Sequence, residues 1–290
     1  MSNPIEPSRF LVFGDLHGRV LPAFALARRY MDDFQHQLDG LFQVGDLGYF
    51  PDPARLDSAS RRHAAKDSLE LGVSEFHGAN PVAAKFFERF DPVVRLYFIA
   101  GNHEDHERLH QQRRVHDPAW PVDDFHRLWC LDDGRILTLP SGLRIAGLWG
   151  IDADAPKARR IRTPHAVINK SAATRLLNDD FDVLITHESP RDAIWFDSGS
   201  LEISEIIERR QPQLAFFGHY HTAGRLDQYL SRRTKLYWMP GMELQHHGRT
   251  AEPNSVGILT HAAGEAQYES LPSDWLSEFT RDNWMFWLEW

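Results

Sequence analysis

Five short stretches carry side chains able to hold metal ions: Gly14-Asp15-Leu16-His17, Gly45-Asp46, Gly101-Asn102-His103-Glu104, Thr186-His187 and Gly218-His219-Tyr220-His221. Between them they offer carboxylates, imidazoles and one amide, the mixed nitrogen and oxygen donors that suit Mn, Fe(II) or Zn. Two divalent ions side by side can clamp a phosphate ester and activate water against it. Asp-x-His and Gly-Asp are each common by chance and signify little alone. All five in this order, each at the end of an apolar run, point to a metal-dependent phosphoesterase.

The chemistry needs elements that bring these stretches together. Each follows a run that reads as a short buried strand: RFLVF, LFQV, VVRLYFIA, DVLI and LAFF. In open α/β sheets, ligands gather beyond the carboxyl ends of the strands, so distant motifs can share one crevice. In extended backbone Asp15 and His17 fall on one side, as do His219 and His221, because one residue separates each pair. Gly14, Gly45, Gly101 and Gly218 are read as sharp turns beside an ion.

Residues 9–14, 20–38 and 40–45 read as strand, helix and strand, with Pro22 in the first helical turn, so the strands are expected to be parallel. Residues 51–92 form an insertion-like region punctuated by Pro51, Pro53, Pro81 and Pro92, with helices expected at about 54–70 and 80–90. A third strand is expected over 93–100, then a helix and loop within 104–125. Residues 134–139 and 143–148 flank Pro140-Ser141-Gly142, a hairpin signal. Helices near 164–178 and 200–210 lead to strands at 181–186 and 213–217, and shorter strands are expected near 224–229, 235–239 and 255–260.

The 290 residues suffice for one large core, and 42% hydrophobic with 25% charged residues is ordinary for a globular chain. A net charge of −9 argues against a general nucleic-acid-binding surface. With Cys130 as the only cysteine, neither a disulfide within the chain nor a thiolate metal site can form. The first nine residues have no signal-peptide character, and no apolar run approaches membrane-spanning length, so the expected location is cytoplasmic.

One catalytic domain over residues 1–271 and a tail over 272–290 are expected. The tail holds Trp275, Trp284, Trp287 and Trp290, and Ser273 could cap a short helix in it. Packing onto the domain is the plain reading; a dimer contact and a membrane-surface anchor are the others, the anchor disfavoured by Asp274, Glu278, Asp282 and Glu289.

The order D-x-H, G-D, G-N-H-E, a lone His and G-H-x-H, spanning residues 15–221, resembles the calcineurin-like metallophosphoesterase superfamily. The resemblance implies a four-layer α/β/β/α sandwich with metals at the strand ends. It implies one ion held by Asp15, His17 and His221, a second held by Asn102, His187 and His219, and Asp46 bridging the two. It places His103 beside the scissile ester, and Pro240-Gly241 matches a pair the family often carries after its last motif. Leu47-Gly48-Tyr49-Phe50 stands where protein Ser/Thr phosphatases carry an Asp-Arg-Gly segment, which disfavours that branch and weakens a bis-nucleoside-tetraphosphatase reading. The nearest resemblance is to the RNA lariat debranching enzymes, through residues 98–104, 143–151 and 186–191. Asp15 departs from the Cys usual in the eukaryotic members.

Other residues have two readings. His103 could protonate the leaving oxygen or hydrogen-bond a bound phosphate. Arg191, four residues after His187, could clamp phosphate or be a solvated arginine at a helix start. Arg19 has the same ambiguity, with the solvated arginine preferred, and Glu104 is expected to orient a ligand imidazole. Tyr49, Phe50 and Tyr220 could wall a base-stacking site, although packing is the commoner fate of aromatics. His106, His110, His246 and His247 are read as mostly surface residues. The reading favoured is two-metal hydrolysis of a phosphodiester in RNA or a nucleotide, on a small phosphoester or a short single strand. A phosphomonoesterase and a non-catalytic scaffold are the alternatives.

Overall fold

The computed structural model describes residues 6–78, 80–90, 94–152, 164–221, 233–245 and 247–288. Its frame is two β-sheets with helices outside them, an α/β fold of the sandwich kind. In the first sheet β1 (Ser8–Phe13), β2 (Gly40–Gln43), β3 (Leu96–Phe98) and β5 (Leu128–Leu131) run parallel. β4 (Ala119–Pro121) closes one edge, and β11 (Val256–Ala262) with β12 (Glu265–Ser270) the other, all antiparallel to their neighbours. The second sheet is ordered β10 (Lys235–Trp238), β9 (Leu214–Phe217), β8 (Val183–Thr186), β7 (Arg144–Leu148) and β6 (Arg135–Thr138). Only the β6–β7 hairpin in it is antiparallel.

Side chains of the second sheet alternate between two cores. Ile145, Val183, Ile185, Leu214 and Phe216 join the large core shared with the first sheet. Their neighbours Ala146, Leu148, Leu184, Ala215 and Phe217 face α5 (Lys170–Leu176) and α6 (Leu201–Arg210), through Ala172, Leu176, Ile203, Ile206 and Ile207. That period of two makes a strand with both faces buried. On the first sheet's other side lie α1 (Val20–Phe34) and α3 (Pro81–Arg89), where Phe24 meets Phe87 edge-on at 5.0 Å. Leu276, Phe279, Trp284 and Leu288 of the C-terminal segment enter the same large core, and Arg29 of α1 stacks 4.2 Å above Trp275.

Several elements differ from the sequence-based expectation, each for a local reason. Helix α1 stops at Phe34 because Gln35 turns left-handed. The helix expected over 54–70 is instead α2 (Ser58–Ala64) followed by a 3-10 stretch, Ser68–Phe76; Asp57 caps the first and Asp67 the second. Asn169 caps α5 and so sets its start well after residue 164. Helix α4 (His106–Gln112) falls within the expected helix and loop, but β4 and β5 are too short to announce themselves and β12 (EAQYES) has no apolar run. In the tail, α7 (Ser273–Ser277) begins at Ser273 without a side-chain cap. The strand expected near 224–229 lies outside the described residues, and no helix among those described is long and apolar enough to cross a membrane.

Phe216 is fully buried between the sheets, edge-on to Tyr268 of the first sheet at 4.9 Å. Replacing it with Ala removes most of an inter-layer contact. Phe216→Ala is expected to lower the unfolding free energy by about 3–5 kcal/mol in urea titration. A loss below about 1 kcal/mol would contradict this packing.

Candidate metal centre

The parallel strands deliver their motifs to one end of the sandwich. Asp15 and His17 follow β1, Asp46 follows β2, Asn102 and His103 follow β3, His187 follows β8, and His219 and His221 follow β9. Two clusters of ligand atoms result, Asp15 with His17 and His221, and Asp46 with His187 and His219, the atoms of each lying within 4.8 Å of one another. Asp46 Oδ2 faces both clusters, 3.2 Å from His187 Nε2 and 3.8 Å from His17 Nε2. His187 Nδ1 lies 3.9 Å from Asp15 Oδ1.

The donors fit a pair of cations. His187 Nδ1 is 3.1 Å from the Val44 carbonyl, which fixes the N–H there and leaves Nε2 as an acceptor. That Nε2 and Asn102 Oδ1 are both buried without a hydrogen-bond partner. Buried acceptors without donors are costly, and a metal ion is a group that satisfies them. His219 stands beside His187, ring centroids 5.0 Å apart, and its backbone N–H donates to Asp15 Oδ1 at 3.3 Å.

The profile of the calcineurin-like phosphoesterases matches residues 8–223, a span that contains every candidate residue named above. The chain belongs to that family. One solved structure, 12% identical over 92% of this chain and 100% of its own, superposes with a TM-score of 0.50. A protein of Thermus thermophilus is 13% identical over 92% of this chain and 100% of its own, with a TM-score of 0.48. A 5'-nucleotidase from Candida albicans is 14% identical over 99% of this chain and 57% of its own, with a TM-score of 0.42. At 12% identity the first of these shows a likeness of fold alone. Among curated proteins, none matches by sequence.

The four glycines expected at sharp turns serve this calcineurin-like centre differently. Only Gly45 has a positive φ, +99°. At the others the missing side chain is what matters: a Cβ would overlap Pro240 O at Gly14, Asp46 Oδ1 at Gly101 and Asp15 Oδ1 at Gly218. Backbone and carboxylate touch, so the ligands cannot swing.

Groups that sequence reasoning passed over hold the ligands in place. Asp46 Oδ1 accepts the N–H groups of Asn102 (2.7 Å) and His103 (2.8 Å), which leaves Oδ2 for the centre. Fully buried Gln43 ties two ligand loops, donating to Gly14 O at 3.2 Å and accepting from Gly45 N at 3.0 Å. Glu243 sits 3.6 Å from His221 Nδ1. Asp57 Oδ2 is 2.7 Å from His103 Nδ1, while its Oδ1 caps α2. The only sequence signal for Asp57 is that of a helix cap.

Charges follow from these contacts. Burial alone would raise the Asp46 carboxyl, but His187 and His103 hold it well below the usual range. Burial pushes Asp15 up. Burial also opposes a charge on His103, yet Asp46 and the hydrogen-bonded Asp57 push its imidazole up to about 9. In His17 burial prevails and pulls it down to about 4.

Some expectations fail. Arg191 does not line the cavity beside the centre; its guanidinium pairs with Asp197 and donates to the Gly199 carbonyl at 3.3 Å within its own loop. Glu104 does not orient an imidazole. It accepts the N–H groups of Leu47 (2.8 Å) and Tyr49 (2.5 Å) and so shapes the loop after Asp46. Tyr49 and Phe50 are core residues rather than a stacking wall, and Tyr220 gives its hydroxyl to Glu188 at 2.6 Å. His106 is buried, 3.1 Å from the Gly101 carbonyl, not on the surface. Arg19 is fully buried in ion pairs with Asp67 and Glu70, and so is neither a phosphate clamp nor the solvated arginine expected there.

Gly218→Ala should therefore displace Asp15 and unseat one ion. Elemental analysis of Mn-loaded protein is expected to find less than the wild-type metal content; an unchanged content would exclude Asp15 as a ligand held by this contact.

Proposed function

We propose that this protein hydrolyses a phosphodiester in RNA or a nucleotide at a centre of two divalent ions, with His103 as proton donor. The observation that carries the reading is Asp46 Oδ2, set between the two ligand clusters with its other oxygen already bonded. When bound, two such ions neutralise phosphate oxygens and acidify a water for attack. The chain's own part is orientation. His103 lines a cavity of about 550 Å³ together with His17 and His221. With Nδ1 committed to Asp57, its Nε2 is left to face a substrate. A cationic imidazole there can bond a phosphate oxygen and pass its proton to the departing alkoxide.

Two observations bear on the substrate. The cavity lining carries Glu70, Glu243 and Glu252. These carboxylates oppose the second negative charge of a monoester and the many charges of a long strand, which supports a small diester. The three stretches that resemble debranching enzymes also touch one another. Gly150 N donates to Ala100 O at 2.9 Å, and Leu148 of β7 pairs with Thr186 of β8. They brace the ligand loops from behind, so the likeness speaks first for the centre, and through it for a nucleotide diester.

A panel with Mn tests this: bis(p-nitrophenyl) phosphate, p-nitrophenyl phosphate and a 2′,5′-linked dinucleotide. The diesters are expected to turn over faster than the monoester. Faster monoester turnover would hand the reading to a phosphomonoesterase. Two bound ions with no turnover at all would favour a binding scaffold.

Asp57→Asn should remove the charge that helps keep His103 protonated. The imidazole then loses its proton at lower pH, so the alkaline limb of kcat/KM should move to lower pH. An alkaline limb left in place would separate His103 from the proton transfer.

A further inference from the structure

A partly buried ion-pair chain runs from the metal-ligand loop to the C-terminal segment. Arg19, fully buried two residues after His17, donates through Nη1 to the His17 carbonyl and to Glu70 Oε1 at 2.5 Å. Its Nη2 reaches Asp67 Oδ2 at 2.6 Å. The same Asp67 oxygen takes Arg281, a residue 214 positions away in sequence. Glu70 lines the cavity beside the centre. Arg281 is itself fixed: its N–H donates to Arg249 O at 2.9 Å, and Arg249 pairs with Asp282 at 3.0 Å.

We propose that Arg281 is a positioning residue for the metal ligand His17, acting through Asp67 and Arg19. The inference rests on the two-ion centre proposed above. Its physical basis is charge balance in a place with little water. Arg19 faces two carboxylates, and Arg281 supplies the second cation, so that two positive groups meet two negative ones. Without Arg281, Asp67 draws on Arg19 alone and competes with the His17 carbonyl for the guanidinium. That carbonyl contact matters because His17 sits at φ +41°, a left-handed backbone that a non-glycine residue holds only when its surroundings impose it. The loop has no room to relax elsewhere. A Cβ on Gly18 would overlap the carbonyls of Leu69 and Glu70, and one on Gly72 would overlap that of Gly18, so the two segments touch backbone to backbone.

The full chain carrying Arg281→Gln, titrated with Mn by calorimetry and followed by EPR, tests the proposal. Of the two binding events, the one involving Asp15, His17 and His221 should weaken by about tenfold, the scale of losses behind a metal ligand. The event involving Asp46, His187 and His219 should stay as in the wild type, and Arg281→Lys should restore the first. General loosening of the fold would weaken both events alike, and that result, or no change in either, would overturn the proposal. Should Arg281→Gln fail to fold, Asp67→Asn, which removes the charge the two arginines share, must give the same one-site loss or the inference falls. Wild-type protein binding fewer than two ions would overturn the centre itself.

Discussion

Much of this structure depends on the restraint of one carboxylate. Asp46 gives one oxygen to two backbone N–H groups and turns the other to both ligand clusters. It can do so only because Gly101 has no side chain to occupy the space of the bonded oxygen. The backbone carbonyl of Asp46 is used as well, accepting Leu16 N (3.1 Å) and His17 N (3.0 Å) and so aligning the Asp15–His17 loop. A single residue thus sets the relative position of both clusters. The order of the first sheet makes this possible, since β1, β2 and β3 are adjacent and parallel and release their loops side by side.

The support behind that residue follows one pattern. Glu104 shapes the chain after Asp46, Gln43 the chain before it, and Asp57 and Glu243 each steady an imidazole. None is exotic chemistry. Glu104, Gln43 and Asp57 also bond backbone groups, which is how a buried polar group avoids its desolvation cost. The insertion over 51–92 belongs to this support: Asp57 and Glu70 bring it against the cavity, and Asp67 joins it to the chain's last residues.

The candidate ligands were legible because their chemistry is written in residue type and order. Asp15, His17, Asp46, His187, His219 and His221 meet as two clusters from motifs spread over more than two hundred residues. Their helpers were not legible. An aspartate before a serine reads as a helix cap, and Asp57 is one; nothing local tells that its second oxygen meets His103. Arg191 followed a ligand closely enough to invite a role, but Asp197 lies within its reach and takes the guanidinium. Three of the four glycines before the ligands, Gly14, Gly101 and Gly218, were noticed for the wrong property, since a clash with a residue far away in sequence leaves no trace nearby. The strands with long apolar runs were found. β4 and β5, three and four residues long, are held by pairing with a neighbour, and pairing is a tertiary fact.

The two sheets contribute unequally to the centre. Asp15, His17, Asp46 and Asn102 leave the first sheet, and His187, His219 and His221 leave the second. Each cluster therefore draws donors from both layers. A cation seated in either one is a rivet through the sandwich, resisting the sliding of one layer over the other in a direction that apolar packing opposes only weakly. Ligands that bind the folded state alone add stability by mass action, about 2.7 kcal/mol when present at a hundred times their dissociation constant. A metal bound at the rim for chemistry would thus also serve as hardware for the layers beneath it, and the chain's mechanical integrity and its reactivity would draw on the same pool of ions.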